Sequence, residues 1–156
     1  MTAGIGEPAP AFTLDNQFGE SIELAALLAS KPVALVFFPL AFTNTCTSEL
    51  CELRDNLALF EDAGVHLVAI SVNNKATLRE FADREGYSFM LLGDFWPHGE
   101  VARRYGVFLE DRGIATRATF LIGQDGIIRD RVVNAPGEAR DLSVYRDALA
   151  RLAASD

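Results

Sequence analysis

The run Val33-Ala-Leu-Val-Phe-Phe38 constrains the fold more than any other segment. It is unbroken in apolar side chains, rich in β-forming residues, and far too short to cross a membrane. A strand without polar alternation must be covered on both faces. A second such run comes at His66-Leu-Val-Ala-Ile-Ser-Val72. Between them the period changes. Leu50, Leu53, Leu57 and Phe60 recur at helical spacing from about Thr45 to Ala63, and Gly64 comes next as a stop. Strands alternating with helices predict an α/β fold, a central mixed sheet with helices on both faces.

The other segments suit that plan. Thr2 to Phe12, with Pro8 and Pro10, reads as an extended lead-in, and Ser21 to Leu28 as a short helix. Ala76 to Glu85 reads as a helix ended by Gly86, Ser88 to Leu92 as a strand, and Glu100 to Tyr105 as a helix ended by Gly106. Thr119 to Ile122 and Ile127 to Val133 read as a hairpin about Asp125-Gly126, with a last helix over Val144 to Ala153. Because Gly123 to Gly126 joins two strands and opens no helix, it is a turn rather than a phosphate loop. At 156 residues and 49% hydrophobic content, one domain over residues 1–156 is expected. A net charge of −8 with no Lys/Arg cluster argues against nucleic acid and anionic membrane surfaces. The first residues lack the basic and apolar regions of a signal peptide. The expected location is the cytoplasm, and no metal, flavin or haem cofactor is implied.

Both cysteines of the chain fall in one segment, Cys46 and Cys51. Two thiols are no disulfide framework in a chain this long. Cys46 lies in the first turn of a predicted helix that comes after a buried strand, with Thr43, Asn44 and Thr45 available as caps. Unpaired N–H groups and the helix dipole favour a thiolate there. Ionisation alone is a weak lever. An ordinary cysteine with pKa about 8.5 is roughly 3% thiolate at pH 7, so full ionisation gains only about 30-fold. Fast thiol chemistry therefore needs further groups that hold the substrate and stabilise its transition state. Position alone leaves a second reading open, since Cys46 shares the apolar stripe and a buried cysteine can be a small hydrophobe.

The neighbours of Cys46 sharpen the choice. Pro39, Thr43 and Cys46 form Pro-x-x-x-Thr-x-x-Cys, which resembles the active-site signature of the peroxiredoxins, thiol peroxidases built on a thioredoxin-like fold. The resemblance implies that Cys46 is the peroxidatic nucleophile, that the Thr43 hydroxyl binds the peroxide, and that Pro39 shields the thiolate. It further implies that Arg117, in Gly113-Ile-Ala-Thr-Arg-Ala-Thr-Phe120, completes the site and that Glu49 orients that arginine. A guanidinium beside a thiolate favours its charge and stabilises the charge that develops as an O–O bond breaks. The likeness runs along nearly the whole chain. Asp94-Phe-Trp-Pro-His-Gly99 and Tyr105-Gly-Val-Phe108 are similar to the actinobacterial alkyl hydroperoxide reductase E group.

Cys51 departs from that group, which works with one cysteine. A cysteine five residues after the peroxidatic one instead resembles the Q-type peroxiredoxins, or bacterioferritin comigratory proteins, and implies a resolving thiol that closes an intramolecular disulfide. An intact helix holds residues five apart roughly 8.7 Å from Cα to Cα. A disulfide needs about 4.4–6.8 Å. Resolution by Cys51 thus requires the first turns of the helix to unwind.

The implied partners are a hydroperoxide, hydrogen peroxide or organic, and a thiol reductant, either thioredoxin or mycothiol with a mycoredoxin. A homodimer is expected. Among the aromatic residues Phe37, Phe38, Phe42, Phe95, Trp96 and Phe108, we assign Phe42 and Trp96 to the pocket or interface. Rival readings fit less well. The spacing Cys46-x-x-x-x-Cys51 is wrong for the Cys-x-x-Cys of a thioredoxin. His66 and His98 are wrongly spaced for zinc. A one-cysteine peroxidase or a peroxide sensor of the same fold would differ in turnover with a reductant.

Overall fold

The computed structural model describes residues 2–155. Its elements are β1 (Thr13–Asn16), β2 (Ser21–Glu23), α1 (Leu24–Leu28), β3 (Val33–Phe37), α2 (Asn44–Asp55), α3 (Ala58–Asp62), β4 (His66–Ser71), α4 (Lys75–Glu85), β5 (Met90–Gly93), α5 (Glu100–Arg104), β6 (Phe108–Leu109), β7 (Ile114–Ala115), β8 (Arg117–Ile122), β9 (Ile128–Asn134) and α6 (Leu142–Ser155). Seven strands form one sheet in the order β2-β1-β5-β4-β3-β8-β9. The β3–β4 and β4–β5 pairs are parallel and the others antiparallel, so the sheet is mixed.

The unbroken apolar run sits at the centre of this sheet. Every residue of β3 is buried. Its alternate side chains enter two separate cores. Ala34, Val36 and Phe38 pack with Leu50, Phe60, Phe81 and Tyr145 on one face. Val33, Leu35 and Phe37 pack with Leu24, Val101 and Tyr105 on the other. The helices therefore lie on both faces, with α2, α3, α4 and α6 on one and α1 and α5 on the other.

Two local readings need correction, and one small hairpin was not read at all. Ser21 to Glu23 is a strand, not helix, because Leu14 pairs with Ile22 across a hairpin that extends the sheet edge. The helix expected over Thr45 to Ala63 is two. Asn56 leaves helical geometry at φ −120°, ψ 26°, and its side-chain amide donates to the Glu52 carbonyl at 2.8 Å, which closes α2. The apolar stripe survives this break, and Phe60 is fully buried. The small β6–β7 hairpin has only two residues in each strand and gave no periodic signal.

The register of β3 on β8 brings two distant parts of the chain together. Phe37 lies opposite Ala118, so the end of β3 meets the start of β8 at Arg117. The chain then leaves β3 through Pro39 to Phe42. The Ala41 N–H donates to Asn73 Oδ1 at 2.9 Å, which ties this loop to the end of β4. Phe42 has φ +67°, a strained turn for a side chain of that size.

Candidate active site

Thr43 is the N-cap of α2, so Cys46 stands in the first turn of the helix. None of the three expected capping oxygens caps by its side chain. The Thr43 hydroxyl instead donates to the Leu40 carbonyl at 3.1 Å. Both cysteines are free thiols, Cys46 fully buried and Cys51 half-buried.

Arg117 is brought against Cys46 from the far end of the sequence. Its Nη2 donates to Cys46 Sγ at 3.0 Å, its Nη1 to Glu49 Oε1 at 2.9 Å, and its Nε to the Pro136 carbonyl at 2.6 Å. With all three nitrogens engaged, the guanidinium is fixed in orientation before any substrate arrives. Glu49, one turn after Cys46, is itself buried.

Sequence reasoning missed the residue that completes this cluster, Arg140. It precedes α6, is 3% exposed, and clasps Glu49 through its Nε at 2.8 Å, its Nη2 at 2.6 Å and its backbone N–H at 2.7 Å. It also donates to Thr119 Oγ1 at 2.9 Å and to the Phe37 carbonyl at 3.0 Å. No local motif signals it. A lone arginine in a Gly-Glu-Ala-Arg loop looks like any solvated charge until the tertiary fold buries it.

The electrostatics are set by this geometry. Burial pushes the Glu49 carboxyl up, but the hydrogen bonds and charge of Arg140, with the charge of Arg117, outweigh it and hold the group below its ordinary value. Two buried guanidiniums then face one carboxylate. A thiolate on Cys46 would supply the missing negative charge, which is the chemical state a thiol nucleophile needs.

A cleft of about 260 Å³ opens onto this cluster, with Pro39, Thr43 and Arg117 in its lining. Leu40, Ile114 and Pro136 give it apolar walls, and Arg112 stands at its edge. Ile114 and Arg112 come from the β6–β7 segment that the sequence did not reveal. A small oxygen-rich molecule in this cleft would meet both Thr43 and Arg117, while Cys46 is fully buried behind Arg117 and does not line it.

Neither Phe42 nor Trp96 lines this cleft, which leaves the interface half of their assignment. The positive φ of Phe42 turns its ring away onto Phe81, with centroids 4.9 Å apart, and under the Arg84 guanidinium. Trp96 lies 82% exposed beside Phe95 and lines clefts toward β1 instead. His66 meets Ser30 Oγ at 2.9 Å and His98 the Gly113 carbonyl at 2.7 Å. Among the described residues no group of three or more His, Cys, Asp or Glu is placed to hold a metal ion, and no helix is long and apolar enough to cross a membrane.

Comparison with known proteins identifies the family. The AhpC/TSA family model matches residues 5–131. The chain is a peroxiredoxin of the AhpC/TSA family. Alkyl hydroperoxide reductase E of Mycobacterium tuberculosis is 47% identical over 150 residues, covering 96% of this chain and 98% of that one. Peroxiredoxin Bcp of Escherichia coli is 35% identical over 129 residues, covering 79% of this chain and 81% of that one. Among solved structures, Peroxidoxin BcpB from Mycobacterium tuberculosis superposes with a TM-score of 0.84 at 31% identity, covering 97% of each chain. As a peroxiredoxin the protein is a thiol-dependent peroxidase, and its fold is the thioredoxin-like one. The two named groups that the sequence resembles, one typified by reductase E and one by Bcp, are both among its relatives.

Proposed function

We propose that this peroxiredoxin reduces hydrogen peroxide and organic hydroperoxides through Cys46 and is resolved internally by Cys51. The observation that carries the first half is the 3.0 Å contact from Arg117 Nη2 to Cys46 Sγ at the start of α2. The Cys46 thiolate attacks the distal peroxide oxygen, so that an S–O bond forms as the O–O bond breaks. Arg117 stabilises the charge on the departing oxygen, which leaves as an alcohol or water after taking a proton. Thr43 lines the cleft, and because its own proton is directed at Leu40 its oxygen serves as acceptor for the peroxide O–H. Pro39 keeps water from the sulfur. Glu49 orients Arg117, with Arg140 behind it. The apolar walls at Leu40 and Ile114 suit the carbon skeleton of an organic hydroperoxide.

In the second half, the Cys51 thiol attacks the Cys46 sulfenic acid. An S–S bond forms, the S–O bond breaks and water leaves. The Cys46 sulfur is reduced and the Cys51 sulfur oxidised. A dithiol reductant of the thioredoxin type, or mycothiol with a mycoredoxin, then returns both thiols. Both cysteines lie in one continuous helix, so the cycle needs local unwinding of α2. A reducing compartment such as the cytoplasm suits free thiols. The exposed pair Phe95 and Trp96 suits a homodimer contact.

The test is the intact mass of fully reduced protein after one equivalent of hydrogen peroxide, with remaining thiols blocked. Loss of two hydrogens with no thiol left to block is expected for wild type, and one added oxygen for Cys51→Ser. An added oxygen in wild type with Cys51 still blocked would leave a one-cysteine peroxidase that depends on an external thiol. No change in mass would overturn the assignment of Cys46.

A further inference from the structure

The resolving thiol is not idle on the surface. Cys51 Sγ donates to Glu85 Oε2 at 3.3 Å and lies 3.4 Å from the Tyr87 hydroxyl. That same hydroxyl donates to the Thr47 carbonyl at 3.3 Å. Thr47 lies between the two cysteines, inside the part of α2 that must open for them to meet. The Tyr87 ring is buried and held between Phe81 and Phe89, with centroids 5.1 Å from each. A change of partner therefore needs no movement of the ring. It needs only rotation of one hydroxyl hydrogen between two acceptors at nearly equal distance.

We propose that Tyr87 is a positioning residue that couples ionisation of Cys51 to release of the first turns of α2. While Cys51 is a thiol, its proton is given to Glu85 and the Tyr87 hydroxyl straps the Thr47 carbonyl. When the thiol loses its proton to solvent, the thiolate becomes the stronger acceptor, because a hydrogen bond to a charged group outweighs one to a neutral carbonyl. The hydroxyl turns to the sulfur, and Thr47 loses its strap. The helix then loosens when the second nucleophile is ready and stays closed over Cys46 until then. The proposal rests on Cys51 being the resolving thiol.

The groups that face Cys51 are few. Glu85 and Tyr87 come from the end of α4 and the turn after it. Arg54 comes from the same helix, held by Asp55 at 2.9 Å and by the Glu85 carbonyl. Burial raises the Tyr87 hydroxyl well above its ordinary value, and the hydrogen bond with Cys51 adds to this, so Tyr87 stays a donor throughout.

Hydrogen exchange on the reduced protein tests the coupling, read as protection factors for amides 46–51 between pH 6 and 9. In wild type, protection should fall about fivefold as Cys51 ionises. In Cys51→Ser it should stay high at every pH. In Tyr87→Phe it should be low already at pH 6 and independent of pH. Equal, pH-dependent protection in wild type and Tyr87→Phe would overturn the coupling. So would loss of protection in Cys51→Ser at high pH. If Tyr87→Phe folds poorly, the Cys51→Ser comparison decides alone. Loss of two hydrogens after peroxide, measured on the same wild-type sample, separates this outcome from failure of the resolving assignment itself.

Discussion

Arg140 and Thr43 carry the sharpest tests at the scale of single residues. Arg140→Met would leave Glu49 with Arg117 as its only buried cation and leave Thr119 Oγ1 and the Phe37 carbonyl without their donor. Breaking one side of a buried charge network costs about 3–5 kcal/mol. We expect that loss in urea unfolding, together with peroxide reduction slowed by about 100-fold as Arg117 loses its fixed aim. Unchanged kinetics in the folded variant would mean that Glu49 alone orients Arg117. For Thr43, Val keeps the shape and removes the oxygen. Peroxide reduction by Thr43→Val should fall by about 100-fold while Thr43→Ser stays near wild type, in line with loss of one group that holds the transition state. A Val variant as fast as Ser would remove the hydroxyl from the mechanism. The sequence exposed Thr43, Cys46, Glu49 and Arg117 because short spacing or a recognisable context carries them. Arg140 was not legible, since its role exists only after the approach to α6 folds back over Glu49. The direction of Phe42 was not legible either, because it depends on one backbone torsion.

Helix α2 is the element on which the proposed cycle turns. Its register was legible in the stripe that joins Cys46, Leu50 and Leu53, all buried. Its length was not, because a polar Asn56 that caps a helix end differs little in pattern from one on an exposed face. If the disulfide requires α2 to open, its rate must track the intrinsic stability of the first turns. Ser48 is exposed and lies between the two cysteines, so it can report on this without touching the site. Ala and Gly differ by about 1 kcal/mol in helix propensity. Disulfide formation after a peroxide pulse should therefore be about fivefold faster in Ser48→Gly than in Ser48→Ala, with equal rates for the peroxide step. Equal rates of disulfide formation would mean that the two thiols meet without unwinding the helix.

At the scale of the whole molecule, the sheet order was legible only in outline. The doubly buried β3 and β4 announced a covered sheet, but β2 and the β6–β7 hairpin are too short to show a period, and only their pairing defines them. The assembled fold adds buried charge, and that makes stability depend on pH. Glu49 is held below its ordinary value of 4.5, so its contribution is present above that pH and lost as pH falls through the lower folded value. His66 is also lowered, by burial and then by Lys31, from 6.5; its contribution is present above 6.5 and lost as pH falls below it. Asp94 runs the other way. Burial raises its carboxyl above 3.8 although the Ala102 and Val101 N–H groups pull it down, so its contribution is present at low pH and lost as pH rises through the folded value. Urea unfolding from pH 8 to pH 3 should thus show a shallow loss below pH 6.5 that His66→Gln removes, then a steeper loss below 4.5. Glu49→Gln should be about 3 kcal/mol less stable than wild type at pH 7, with two arginines left facing a neutral amide. That gap should narrow as pH falls below 4.5, because Glu49 of the unfolded wild type takes up its proton there while the folded group stays charged to a lower pH. A gap of the same size at pH 3 and pH 7 would mean that Glu49 stabilises the fold by shape and not by charge.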